Sequence, residues 1–204
     1  MPERTPRVLY FTNPDVTEWR VKDFLESSGC EVFVETSRPS LDLVHTLGAE
    51  WIVADRARQL ITADVIGVLG GRVLNLHPSL LPWNRGYNSL LWSAAEGTPH
   101  GVTVHWVDEG IDSGPIVART EIAFGGTTTL RQGYDATRDA MVDLFTTVWP
   151  MVVFGGGTLL TAIKNDWEVG TIHSRAQSEA LISVLPSGWE TPMVAVASLL
   201  PLGD

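Results

Sequence analysis

Apolar and polar positions switch period along this chain in a regular way. Arg7 to Thr12 is apolar and rich in β-formers, the pattern of a buried strand. From Glu18 to Ser27 the apolar residues Trp19, Val21, Phe24 and Leu25 recur at helical spacing and stop before Gly29. Glu31 to Thr36 alternates and predicts a short strand. Ser40 to Leu47 reads as a helix, and Glu50 to Ala54 as another apolar strand. Thr62 is a candidate N-cap for a helix through Val68. Arg72 to Leu76 predicts a strand, Asn88 to Glu96 a helix, and Gly101 to Val107 a strand. Ile116 to Phe124 alternates as a further strand would, and Thr129 to Trp149 is a long amphipathic helix.

Strand and helix therefore alternate over the first hundred residues. That predicts an α/β fold, Rossmann-like: an open, mostly parallel sheet with helices on both faces. Ligands in such sheets sit beyond the carboxyl ends of the strands. Gly155 to Gly157 marks the expected boundary between a main domain, residues 1–150, and a short C-terminal extension, residues 151–204. The apolar run Met193 to Leu202 is too short to span a bilayer and reads as a terminal strand or a homodimer contact.

Composition narrows the chemistry. The chain has 204 residues, 44% of them hydrophobic, enough for one real core. Its formal net charge is −10, so it lacks the excess of Lys and Arg that nucleic-acid binding needs. Cys30 is the single cysteine, which rules out an internal disulfide and suits a reducing cytoplasm. Met1 to Pro6 lacks an apolar signal core, and no membrane partner is expected. His100 and His105 match no common zinc-ligand spacing, so no metal site is expected; His105 is placed on a sheet face.

The candidate chemistry lies in two loops that follow strands. Asn75 and His77 are two apart at the end of a predicted strand, so an extended backbone points both to one face. Pro78 stiffens the turn behind them, and Asp112 sits between Gly110 and Gly114. An amide can hold a developing oxyanion, an imidazole can move a proton, and a carboxylate can set the imidazole's charge. Trp83 and Trp92 are better read as core than as ring-stacking platforms.

Two stretches also carry a resemblance. Asn75-Leu-His77-Pro-Ser-Leu-Leu-Pro82 and Gly101-Val-Thr-Val-His105-Trp-Val-Asp108-Glu-Gly-Ile-Asp112-Ser-Gly-Pro115 resemble the folate-dependent formyltransferases. Leu81-Pro-Trp-Asn-Arg-Gly86 with Asn88-Ser-Leu-Leu-Trp92 is most similar to the sugar N-formyltransferases that act on nucleotide-linked amino sugars. The clear resemblance runs from Asp64 to Ala123. It implies Asn75, His77 and Asp112 as the catalytic trio, 10-formyltetrahydrofolate as formyl donor and a small amine as acceptor. It further implies Asp55, Arg56, Val107, Asp108 and Gly110 on the folate side. It places Trp83, Arg85 and Tyr87 on the acceptor side, where Arg85 either meets a phosphate or is an ordinary solvated loop arginine. Where such relatives carry a Val-Ser-Tyr-Gly type of segment, this chain has Val53-Ala-Asp55-Arg56-Ala57, so Asp55 and Arg56 are expected to remodel the folate wall.

Other members fit less well. Glycinamide ribonucleotide formyltransferases have a glycine-rich phosphate turn after the first strand, where this chain has Thr12-Asn-Pro-Asp-Val16. No tRNA-binding domain of the methionyl-tRNA type is expected after Asp112, nor a regulatory domain before Arg7. An amine of a specialised metabolite remains an alternative acceptor, and a catalytically silent folate-binding module is the non-enzyme alternative.

Overall fold

Parity along the strands decides which side chains reach the site. In the structure, a computed structural model that describes residues 5–154, 163–166 and 168–200, six strands form one sheet. They are β1 (Arg7–Phe11), β2 (Glu31–Glu35), β3 (Trp51–Asp55), β4 (Val73–His77), β6 (Gly101–Trp106) and β7 (Ile116–Glu121), in spatial order β2-β1-β3-β4-β6-β7. The first four pair in parallel, whereas β6 runs antiparallel to both β4 and β7.

Each face of this sheet has its own core. On one face Val8, Tyr10, Val53, Leu74 and Leu76 pack against α1 (Arg20–Ser27) and α5 (Leu130–Phe154), through Leu25, Phe145 and Trp149. On the other, Leu9, Phe11, Ile52, Ala54 and Val73 pack against α2 (Leu41–Leu47) and α3 (Ala63–Val68). Asn75 and His77 continue the parity of Val73 on that second face.

The sequence reading holds for these elements within a few residues at their ends. Helix α1 begins after Trp19, β7 stops at Glu121 rather than Phe124, and α5 continues beyond Trp149 through Pro150. The expected boundary at 155–157 lies outside the described residues.

Beyond it the chain folds back. A parallel two-stranded ladder joins β5 (Arg85–Gly86) to β8 (Ile172–His173). Next come α6 (Arg175–Ser183), capped by a reciprocal Ser174–Gln177 box, and α7 (Met193–Val196). A smaller core forms where Leu181, Leu185, Met193 and Val196 cover Leu90 and Leu91 of α4 (Ser89–Glu96). The terminal strand expected over Met193 to Leu202 is thus a helix at its start, because Met193 and Val196 are one turn apart and bury one face on α4. Among the described residues, no helix is long and apolar enough to cross a membrane.

Candidate active site

Strand β4 presents Asn75 and His77 where the cover provided by α3 ends. The loop after β6 returns over them and brings Asp112 down from above. Asp112 adopts a left-handed backbone, φ 49°, which Asp tolerates better than most residues. Gly114 lets the loop press on the sheet: a Cβ there would lie 1.9 Å from the Trp106 carbonyl oxygen. Asn165 holds the same loop from behind, donating to the Asp112 carbonyl at 2.9 Å and the Gly114 carbonyl at 3.2 Å.

Asp112 is the hub. One carboxylate oxygen accepts from Asn75 Nδ2 at 3.0 Å and lies 3.5 Å from His105 Nε2. The other accepts the Gly86 N–H at 2.8 Å and lies 3.4 Å from His77 Nδ1. Burial opposes its ionisation. The imidazoles of His77 and His105 and the Gly86 N–H outweigh that and hold the carboxyl well below the usual carboxylate range.

His77 is 3% exposed, and burial pushes its imidazole below the ordinary range, against the pull of Asp112. Its Nε2 faces the Asn84 carbonyl at 3.2 Å. Both ring nitrogens thus face oxygens. A second ring proton would therefore be met by groups already in place.

His105 belongs to this constellation although the sequence reading left it on a sheet face. It stands directly across from Asn75 in the β4–β6 register. Its Nδ1 lies 2.8 Å from the Trp106 carbonyl, which only accepts, so Nδ1 carries the ring proton. Nε2 is then free to accept from Asn75 Nδ2 at 3.1 Å. The signal was present: Thr103 and His105 are polar at alternate positions of an apolar strand and share the face of Asn75. The Asn75 amide hydrogens are consequently directed at Asp112 and His105, and reach a substrate oxyanion only by exchanging one of those partners.

Two lobes of one cleft meet at Asn75 and Asp112. The first, about 350 Å³, has apolar walls from Ala54, Ile61, Val107 and Ile111, and Gly110, His105 and His173 also border it. The second, about 270 Å³, contains His77 and is bordered by Arg56, Arg58, Tyr134, Arg138 and Trp189. Gly86 and Tyr87 line both.

Placement of the other expected residues is mixed. Val107 and Gly110 border the first lobe. Asp108 does not; its carboxylate is used within the loop, accepting from Gly110 N at 3.0 Å and Ser113 Oγ at 2.7 Å. Asp55 needs correction. Parity turns it to the opposite face of the sheet, where it is fully buried and bound by Tyr10 Oη at 2.6 Å and by Arg138 at 2.8 and 3.1 Å. Arg56 borders the second lobe, not the first, and donates to the Glu18 carbonyl at 2.7 Å. Trp83 borders neither lobe. Arg85 also needs correction: it is 9% exposed and directed inward, its guanidinium donating to the Ile111 carbonyl at 3.2 Å. It braces the Asp112 loop rather than facing a phosphate. Among the described residues, no three His, Cys, Asp or Glu side chains converge as metal ligands.

Four non-glycine residues have a left-handed backbone among the described residues: Arg56, Asn84, Asn88 and Asp112. All border the cleft or touch His77.

Residues 21–149 match the family described as Formyl transferase, more than half of the chain. The chain belongs to that family. The structure is similar to that of the formyltransferase PseJ from Anoxybacillus kamchatkensis in complex with UDP-4,6-dideoxy-4-formamido-L-AltNAc and tetrahydrofolate. The TM-score is 0.85 at 28% identity, over 95% of this chain and 100% of that one. In sequence it is similar to the phosphoribosylglycinamide formyltransferase of Bacillus subtilis, 42% identical over 65 residues, 31% of this chain and 33% of that protein. The Haemophilus influenzae protein of the same name is 29% identical over 113 residues, 55% of this chain and 51% of its own length. The chain thus spans a third to a half of those curated relatives.

Proposed function

We propose that this chain transfers a formyl group from 10-formyltetrahydrofolate to the amine of a nucleotide-linked amino sugar. The observation that carries the reading is the cleft itself. Two adjoining lobes open onto one carboxamide–carboxylate pair, Asn75 and Asp112, as direct transfer between two bound substrates requires. The first lobe suits the flat ring of a folate: Ala54, Ile61, Val107 and Ile111 give it an apolar wall beside Asn75. The donor supplies the electrophilic carbonyl carbon. The second lobe suits a phosphorylated acceptor, since Arg56 borders it and not the first lobe, and Arg58 lies where the two lobes meet, in an otherwise acidic chain.

The chain's own groups then have defined tasks. The acceptor nitrogen forms a bond to the formyl carbon, and the carbonyl π pair moves to oxygen. Asn75 donates an amide hydrogen to that oxyanion in place of its contact with His105. His77 takes the proton released by the amine, stabilised as imidazolium by Asp112 and the Asn84 carbonyl. Collapse re-forms the carbonyl, breaks the bond to the folate nitrogen and returns a proton to that nitrogen. Loss of one preorganised oxyanion donor lowers such a rate by about 10²–10³.

Support for the sugar acceptor comes from the similarity over the full length of the PseJ structure, whose bound product is a UDP-linked formamido sugar. A second reading, phosphoribosylglycinamide as acceptor, is favoured by the 42% identity over 65 residues. The loop after β1 speaks against it, because Asp15 there pairs with Arg58 at 2.7 Å where a phosphate cradle would need backbone N–H groups. The deciding experiment measures tetrahydrofolate release with a UDP-linked 4-amino sugar, the corresponding free amino sugar and phosphoribosylglycinamide. Turnover of the glycinamide alone overturns the sugar reading. Equal use of the free and UDP-linked sugars removes the phosphate from it.

A further inference from the structure

His77 is held on its far side by a network whose members extend beyond residues 21–149, the span of the family match. Its Nε2 faces the Asn84 carbonyl. Asn84 is fully buried, with φ 54°, and its side chain fixes the position of that carbonyl. The amide nitrogen donates to Glu96 Oε2 at 2.8 Å, and the amide oxygen accepts from Thr98 Oγ1 at 2.7 Å. Thr171 Oγ1 donates to the same Glu96 oxygen at 2.8 Å and accepts the Asn84 N–H at 3.3 Å. The second Glu96 oxygen lies 2.9 Å from His173 Nε2, and the His173 ring stacks on Trp92 at 3.7 Å with 4° between planes.

Backbone contacts lock the two segments together. The N–H groups of Arg85 and Tyr87 donate to the Thr171 and His173 carbonyls at 2.9 and 3.0 Å. There is no spare room: a Cβ on Gly170 would lie 1.7 Å from the Pro82 carbonyl oxygen, and one on Gly86 would lie 2.4 Å from that of His173.

We propose that Asn84, clamped by Glu96 and Thr171, is the positioning residue for His77, so that the segment 171–173 is part of the transfer machinery. The reason is directional. A carbonyl only accepts, so it orients the Nε2 proton of His77 toward itself and leaves Nδ1 facing Asp112. Among the described residues, the His77 ring makes no other hydrogen bond at Nε2 to set its angle. Moving the 83–87 loop therefore turns the imidazole, and a misplacement of about 1 Å costs on the order of 10²-fold in rate. This inference rests on the transfer reading above for its kinetic part only.

The test uses the full chain carrying Glu96→Leu, Glu96→Gln or Thr171→Val. Glu96→Leu is expected to lower kcat about 10–100-fold with KM for donor and acceptor unchanged, since the interaction acts on orientation and not on binding. Glu96→Gln keeps an oxygen for the Asn84 amide and is expected to recover most of the rate. In ¹⁵N-histidine-labelled protein, the His77 ring-nitrogen signals are expected to move in Glu96→Leu and to return in Glu96→Gln. Should Glu96→Leu fail to fold, Thr171→Val decides, because it keeps the side-chain shape and removes all three hydroxyl contacts. Parental kcat and parental His77 signals in a folded variant overturn the proposal. So does a rise in KM at unchanged kcat, which would make the segment a binding wall. A parent that formylates no amine refutes the transfer reading, while the nitrogen signals still decide the positioning of His77.

Discussion

Replacing Asp112 by Asn isolates the charge at the hub of the site. The change keeps side-chain shape, and Asn tolerates the left-handed backbone at φ 49° as well as Asp does. What it cannot keep is acceptance at both oxygens. Gly86 N–H at 2.8 Å and Asn75 Nδ2 at 3.0 Å donate to opposite oxygens, so one of them must face the new amide's own hydrogens. Hydrogen bonds to a charged group contribute about 1.5–3 kcal/mol each. Losing one and weakening the other amounts to about 3–5 kcal/mol, or roughly 10²–10⁴ in kcat/KM. The assay is tetrahydrofolate release at saturating donor, with melting temperature recorded on the same samples. A folded variant within tenfold of the parent rate, against roughly 10² or more expected, would refute the reasoning. The same substitution has an acid signature. Because the folded carboxyl titrates below its unfolded value, it adds stability at neutral pH that is lost as pH falls beneath about 3.9. The Asn variant should show a shallower acid slope.

Four further outcomes are expected. His105→Phe fills the ring's volume but removes the partner that aims the Asn75 amide, and misplacement of that amide should lower kcat by about 10² in steady-state assays. Arg138→Met leaves buried Asp55 with Tyr10 at 2.6 Å and only the longer Arg56 contact at 3.5 Å; unfolding should show a loss of about 3–5 kcal/mol, a melting drop of roughly 6–20 °C. Gly114→Ala places a methyl against the Trp106 carbonyl and should shift the Asp112 loop, abolishing most activity in a protein whose sheet signature by circular dichroism is retained. Burial lowers His77, His100 and His173 below their unfolded values, so the unfolded chain binds more protons below about pH 6.5 and melting temperature should decline as pH drops through that range. A flat profile there would contradict their burial.

The sheet and its helices were legible because each strand carries a period that one face enforces. Asn75 and His77 were legible for the same reason, being two polar residues on one parity of a buried strand. Asp112 stood out through its flanking glycines and the motif around it, not through periodicity. Asp55 was misplaced although parity alone excludes it: it pairs in register with Leu76, not Asn75, and so shares the α5 face. Arg85 could not have been placed locally. Its backbone pairs with the 171–173 ladder and its guanidinium reaches the Ile111 carbonyl, partners that no short-range pattern links to residue 85. The C-terminal helices were missed because α7 is a single turn whose apolar residues suit strand and helix equally.

The left-handed residues around the cleft imply a direction of evolutionary trade. Each such conformation at a non-glycine position costs on the order of 1–3 kcal/mol. Three of the four border the cleft and Asn84 faces His77, while the sheet beneath is packed with residues such as Leu9, Ile52 and Leu74 at 0% exposure. Selection for heat tolerance alone would relax these positions first, for instance to glycine at Arg56 or Asn88. Variants gained that way should survive heating and lose discrimination between acceptors, so thermal robustness and substrate choice are set against each other along the rim of the cleft.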